Sequence, residues 1–185
     1  MINPTAGKRV VRYEHWNRRA VTQEFIFPNG EFRTYLLLET DKKAVIIFPL
    51  TSNLDVIAIR IFRVAANKEI VELPGGLVEE NSNPTDTAKR ELEEETSYMS
   101  NKMIRLGTGI WFDPASIKVN YDAFLALDCE PCKRGTLDDD ELIKTERMPI
   151  GEWLEKIKTG VVQDNKSIAV TLLALMKYKK LRQYL

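Results

Sequence analysis

The sequence predicts an α+β fold: a mixed β-sheet with helices packed against it, in the manner of an α/β/α sandwich. Three observations predict it. Apolar stretches rich in branched and aromatic residues alternate with turn residues through the first two-thirds of the chain, as β structure does. Two helices carry explicit start signals, one mid-chain and one near the C-terminus. Repeats, low-complexity tracts and flexible linkers are absent, and 185 residues suffice for one domain with a real core, with or without a small appendage.

Residues 21–27 and 32–38, joined by Pro28-Asn29-Gly30, read as a hairpin. After Asp41-Lys42-Lys43 come strands at 44–48 and 56–64 and a short one ending at Leu73. The first helix follows, with Asn83 as N-cap, Pro84 at its first position and Asp86 placed for a capping contact, running to about Thr96. Later strands are predicted at 103–112, 119–127 and 141–148, and a short helix near 151–158 packs Trp153, Leu154 and Ile157. The last helix runs from about Asn165 to Tyr178, its core stripe formed by Ile168, Leu172, Leu175 and Met176, with lysines near its end suiting the helix dipole.

Composition narrows the chemistry. Lys plus Arg and Asp plus Glu number 27 each, so no global field draws in nucleic acid or an anionic membrane. The opening MINPTAGKRVVRYEHW has no apolar signal region and no run approaches a membrane span, so a cytoplasmic protein is expected. Cys129 and Cys132 form a single C-x-x-C, half of a structural zinc site, and read as reduced thiols. With His15 as the only histidine, acid, base and metal chemistry falls to carboxylates.

Those carboxylates crowd one helix. Ala88, Leu92 and Thr96 recur at core spacing, while Glu91, Glu94 and Glu95 follow i, i+3 and i+4 on an adjoining face. Like charges so spaced cost about 0.2 to 0.5 kcal/mol per pair, and Arg90 alone does not neutralise them. Mg²⁺ prefers such hard oxygen ligands together with phosphate and water. Before the helix, Leu73-Pro74-Gly75-Gly76 ends a strand with two glycines, which permit close backbone approach. Strand, glycine loop and acidic helix make a metal-phosphate site; the competing reading is a solvated acidic face on an interaction module.

Gly76, Arg90, Glu91, Leu92, Glu94 and Glu95 resemble the Nudix box, with Ser82 and Ser97 standing where the box carries a glutamate and a glycine. The resemblance implies a Nudix fold over 41–185, with 1–40 as a small N-terminal β extension of the kind that exchanges between subunits of a homodimer. It implies Mg²⁺, or Mn²⁺, held by Glu91, Glu94, Glu95 and the Gly75 carbonyl, and places Glu94 and Arg90 in the catalytic set. Pro114, sixteen residues beyond Tyr98, resembles a marker of ADP-ribose pyrophosphatases, although the loop reads Asp113-Pro114-Ala115. In the same subgroup, Ile61-Phe62-Arg63 and Glu72 resemble segments that approach the diphosphate or ribose. Asp139 matches the base that activates water and Glu141 an extra metal ligand. Trp16 resembles aromatics that stack on adenine, a core or dimer-interface anchor being its other reading; Trp111 is a second stacking candidate. The implied activity is hydrolysis of ADP-ribose or a related nucleoside diphosphate sugar. The alternative is a weakened domain that binds such a ligand without turning it over.

Overall fold

The computed structural model describes residues 3–133 and 143–185. They form β1 (Thr5–His15), β2 (Arg18–Ile26), β3 (Phe32–Glu39), β4 (Ala44–Pro49), β5 (Asp55–Arg63), β6 (Lys68–Glu72), β7 (Gly75–Leu77), α1 (Pro84–Thr96), β8 (Tyr98–Met99), β9 (Lys102–Asp113), β10 (Ile117–Leu127), β11 (Glu130–Pro131), β12 (Ile143–Pro149), α2 (Ile150–Lys158) and α3 (Asn165–Lys177). The chain divides into two compact units, Met1–Lys43 with Trp111–Asn120, and Ala44–Ile110 with Tyr121–Leu185.

In the first unit β1, β2 and β3 form an antiparallel meander, and β3 pairs in parallel with the start of β10 through Leu38 and Ile117. The β2–β3 turn closes where Gly30 takes φ 83° and its N–H bonds the Phe27 carbonyl at 2.8 Å. Only glycine adopts that dihedral without strain. Strand β1 lies in the expected N-terminal β extension but is not among the expected strands, because TAGKRVVRYEH is exposed at all but one position and lacks an alternating apolar pattern.

In the second unit β4 lies between β10, in parallel from Tyr121 to Ala126, and the short antiparallel β7. All six residues of β4 are buried, as a strand covered on both faces requires. A second antiparallel sheet runs β12-β5-β6. Helix α1 packs Ala88 and Leu92 onto Val45, Ile47, Phe124 and Ala126, and Cys129 completes that cluster as a small apolar residue. Burial pushes the Cys129 thiol up to about 12. Each such Val, Ile, Leu or Phe contributes roughly 1.5–3 kcal/mol when fully buried.

The ends of α1 follow the expectation: Asn83 Oδ1 accepts from Thr85 N–H at 2.9 Å, and Pro84 opens the helix. Helix α3 keeps its expected span, but of its expected core stripe only Leu175 is buried. Its buried residues are Ser167, Val170, Thr171, Ala174 and Leu175, whereas Ile168, Leu172 and Met176 are 37, 49 and 54 % exposed. The polar core residues are satisfied locally: Trp153 Nε1 of α2 donates to Thr171 Oγ1 at 3.0 Å, and Thr171 Oγ1 donates to the Ser167 carbonyl at 2.7 Å. Hydrogen bonding removes the penalty that hydropathy assigns to burying them. Among the described residues no helix is long and apolar enough to cross a membrane.

Candidate active site

The loop at residues 73–76 is fixed from several sides. Gly75 and Gly76 pair with Ile46 and Val45 through β7, and the Pro74 carbonyl accepts from Ile47 N–H at 2.9 Å. Neither glycine has positive φ, so the pair serves close approach rather than unusual dihedrals. A Cβ on Gly75 would run into the Val45 carbonyl, and one on Gly76 would occupy the space of the Glu91 carboxylate. Gly75 N–H donates to Glu95 Oε2 at 2.8 Å. The loop backbone and two carboxylates of α1 therefore interlock, which is why strand, glycines and helix occur in this order.

On α1, Glu95 is buried at 3 % exposure, while Glu91 and Glu94 are half-buried. Arg90 donates from Nη2 to Glu91 at 2.6 Å and from Nη1 to Glu94. Burial disfavours its charge, but Glu91 and Glu94 more than offset this and raise its pKa. Ser82 is exposed and offers Arg90 no carboxylate. At the other end Ser97 adopts φ 59°, ψ 32°, the left-handed cap position, with its N–H bonded to the Glu93 carbonyl at 3.0 Å.

Arg63, at the end of β5, pairs with Glu72, at the end of β6, which is only 3 % exposed. The register Ile59↔Glu72 and Arg63↔Lys68 places both on the same strand pair. Burial would lower the Arg63 pKa; the hydrogen bond and charge of Glu72, with the charges of Glu95 and Asp164, outweigh it and raise it. Arg63, Glu72, Glu95, Glu91, Glu94, Arg90 and Gly75 thus form one neighbourhood in the second unit.

The donor set suits a hard cation. Three carboxylates and a backbone carbonyl offer oxygen atoms, and in this neighbourhood the four acids Glu72, Glu91, Glu94 and Glu95 outnumber the two cations Arg63 and Arg90. Among the described residues no three His, Cys, Asp or Glu side chains converge closely enough to hold a metal ion by themselves.

Trp16 and Pro114 belong to the first unit. Trp16 sits at the β1–β2 turn with φ 53°, 84 % exposed, its ring 4.9 Å from His15 and stacked on it. Exposure to that degree removes the core reading of Trp16. Pro114 lines an apolar pocket of about 350 Å³ with Phe25, Phe27, Tyr35, Leu37 and Trp111. Asp139 and Glu141 lie outside the described residues.

Two residues of this neighbourhood carry no role in the sequence reading, which takes the terminal helix as scaffold although residues 161–165 before it resemble the same subgroup. Asp164 caps α3 by accepting from Ser167 N–H at 2.9 Å, and the buried Ser167 hydroxyl accepts from Leu73 N–H at 2.8 Å. Their signal was present as Asp-x-x-Ser at a helix start, a capping pattern whose reach to the glycine loop is a tertiary fact.

Residues 40–169 match the NUDIX domain family. The chain is 30 % identical over 125 residues to the ADP-ribose pyrophosphatase of Bacillus subtilis (strain 168), covering 67 % of each chain. It is 31 % identical over 141 residues to the methanol dehydrogenase activator of Bacillus methanolicus, covering 74 % of this chain and 75 % of that one. With the GDP-mannose pyrophosphatase of Escherichia coli identity is 28 % over 151 residues, covering 77 % and 72 %. The crystal structure of an ADP compounds hydrolase superposes with a TM-score of 0.86 at 20 % identity, over 97 % of this chain and 96 % of that one, which establishes the α+β fold with its mixed sheet and flanking helices.

Proposed function

The chain belongs to the NUDIX family, and from that premise we propose that it is a divalent-metal-dependent pyrophosphohydrolase acting on ADP-ribose or a related nucleoside diphosphate sugar. The products are a nucleoside monophosphate and a sugar phosphate. The observation that carries the reading is the interlock of Gly75 and Gly76 with Glu95 and Glu91, which holds a carboxylate cluster against the backbone of the glycine loop. The relatives named for ADP-ribose and GDP-mannose pyrophosphatase activity support the substrate class.

Glu91, Glu94, Glu95 and the Gly75 carbonyl would hold the ion, with Mg²⁺ the first choice and Mn²⁺ a substitute. When bound, it supplies Lewis acidity toward phosphoryl oxygens and lowers the pKa of water. The chain's own residues do the rest. Arg63, held by Glu72, offers the diphosphate charge-assisted hydrogen bonds in a fixed direction. Arg90 bridges Glu91 and Glu94 and keeps both carboxylates on one side of α1. Asp139 takes the proton from the attacking water and Glu141 adds a ligand, assignments resting on the sequence. Trp16 is assigned to stacking on the base and Pro114 to the substrate by the resemblance in sequence, and within the first unit Pro114 lines an apolar pocket with Trp111.

We place the working protein in the cytoplasm as a homodimer. Free Cys129 and Cys132 suit a reducing compartment. The exposed Tyr13, Phe32, Leu36 and Leu38 on the N-terminal sheet supply an apolar face for a second copy.

One observation favours a second reading, a ligand-binding protein with weakened catalysis. With serine at position 82, Arg90 commits Nη1 and Nη2 to two carboxylates that the ion needs. Incubation with Mg²⁺ and a panel of ADP-ribose, GDP-mannose, NADH and diadenosine polyphosphates separates the two, read as nucleoside monophosphate released. Turnover lost by about 10²-fold or more in a folded Glu95→Gln variant is the expected result. Ligand binding without turnover in the wild type selects the sensor, and wild-type rates in Glu95→Gln would overturn the metal assignment.

A further inference from the structure

The first turn of α3 is bound to the glycine loop through a directed chain of hydrogen bonds. Asp164 Oδ2 accepts from the Ser167 hydroxyl at 2.7 Å as well as from Ser167 N–H. A hydroxyl has one hydrogen and two lone pairs. With its hydrogen committed to Asp164, Ser167 Oγ presents a lone pair to the loop, where Leu73 N–H donates at 2.8 Å. Two residues on, Gly75 N–H donates to Glu95 Oε2 at 2.8 Å. Ser167 and Leu73 are both buried, so water cannot replace the bond between them. Asp164 also acts electrostatically on Arg63 and on the buried Tyr121, and it pairs with Lys166.

Building on the hydrolase reading, we propose that Ser167 and Asp164 are positioning residues for the metal-binding loop. Asp164 orients the Ser167 hydroxyl, Ser167 pins Leu73, and the pinned loop directs Gly75 N–H onto Glu95 and so sets the direction of its carboxylate. Helix α3 is then part of the catalytic apparatus and not only scaffold, although none of its residues is asked to touch substrate or ion.

The test compares Ser167→Ala with Thr171→Val. Both remove a buried hydroxyl from α3, but Thr171 serves Trp153 and the Ser167 carbonyl rather than the loop. Amide hydrogen exchange over residues 73–76 in metal-free protein reads the positioning directly. Exchange about tenfold or more faster in Ser167→Ala than in Thr171→Val, at matched denaturation midpoints, is expected. Mn²⁺ affinity without substrate and kcat at saturating Mg²⁺ should each fall about tenfold or more in Ser167→Ala alone, with KM nearly unchanged. Ser167→Thr, which keeps the hydroxyl, restores both. If the alanine variant does not fold, Ser167→Cys, near in size with a weak acceptor, gives the same pattern at smaller amplitude.

Equal exchange in the two variants, or wild-type Mn²⁺ affinity in Ser167→Ala, overturns the proposal whatever the activity. Faster exchange and weaker Mn²⁺ binding in a protein whose wild type turns over nothing on the panel leaves the positioning role standing and sinks the hydrolase reading instead.

Discussion

Gly76 and Gly75 look equivalent in the sequence and are not equivalent in the structure. A methyl group on Gly76 meets the far end of the Glu91 side chain, which can swing away; one on Gly75 meets the Val45 carbonyl and the Ile46 backbone, which cannot. Gly76→Ala is therefore expected to leave thermal stability close to wild type while lowering Mg²⁺ affinity or kcat by about 10–100-fold, the range for disturbing groups that orient metal ligands. Gly75→Ala is expected to cost about 1–3 kcal/mol of stability, as overpacking does. Thermal melts and Mg²⁺ titrations of the two variants check the contrast; a Gly76→Ala enzyme with full activity would sink the crowding argument. The need for glycines was legible in Leu73-Pro74-Gly75-Gly76, but which atoms they make room for was not, since Val45 and Glu91 arrive from 30 residues upstream and 15 downstream of that loop.

At the scale of elements, α1 shows what short-range rules deliver. Asn83, Pro84 and Ser97 mark its ends within the helix's own sequence, and cap geometry depends on neighbours only a few residues away. Ser97 at φ 59° bears the left-handed penalty of roughly 1–2 kcal/mol, of which glycine would return about 0.4–1 kcal/mol to the unfolded chain. Ser97→Gly should therefore gain about 0.5–1 kcal/mol, seen as a higher urea midpoint at unchanged slope. A lower midpoint would mean that the serine hydroxyl contributes more at the cap than its dihedral costs. Helix α3 shows the reverse case. Its span was legible from its ends, but its buried face was not, because Ser167 and Thr171 face inward to bond Leu73, Asp164 and Trp153, all on other elements or beyond the helix itself. Apolar periodicity reads burial only where burial is apolar. Strand β7, three residues long with two glycines, escaped for a related reason, its pairing being dictated by β4.

At the scale of the molecule, the first unit carries an apolar face without a partner in the chain's own meander. Register places Leu38, Ala20 and Tyr13 in one cross-strand row, Leu36, Thr22 and Val10 in the next, and Phe32 opposite Ile26. Tyr13, Phe32, Leu36 and Leu38 are 66, 70, 62 and 52 % exposed. Thr34 and Glu24 separate Phe32 from the Leu36 and Leu38 rows, so the apolar centre lies around Leu36, Leu38 and Tyr13, and exposed apolar residues grouped on one face in this way mark an interaction site. The zero net charge of the chain sets up no long-range repulsion between two copies. A stable dimer buries about 1,200–2,000 Å² of surface, with an apolar centre surrounded by a polar rim. The prediction is a homodimer of the 21.3 kDa chain at micromolar concentration, converted to monomer by Leu36→Asp with Leu38→Asp. Light scattering coupled to size exclusion gives the mass, and circular dichroism confirms that the double variant is folded. A wild type that is monomeric, or a double variant that stays dimeric, would show that this face is not what joins two copies. The outcome also bears on Trp16, whose exposed, stacked ring lies at the tip of this same meander: with Trp153 fully buried and Trp111 replaced by phenylalanine, a dimer through the apolar face should protect Trp16 fluorescence from acrylamide, and Leu36→Asp with Leu38→Asp should expose it.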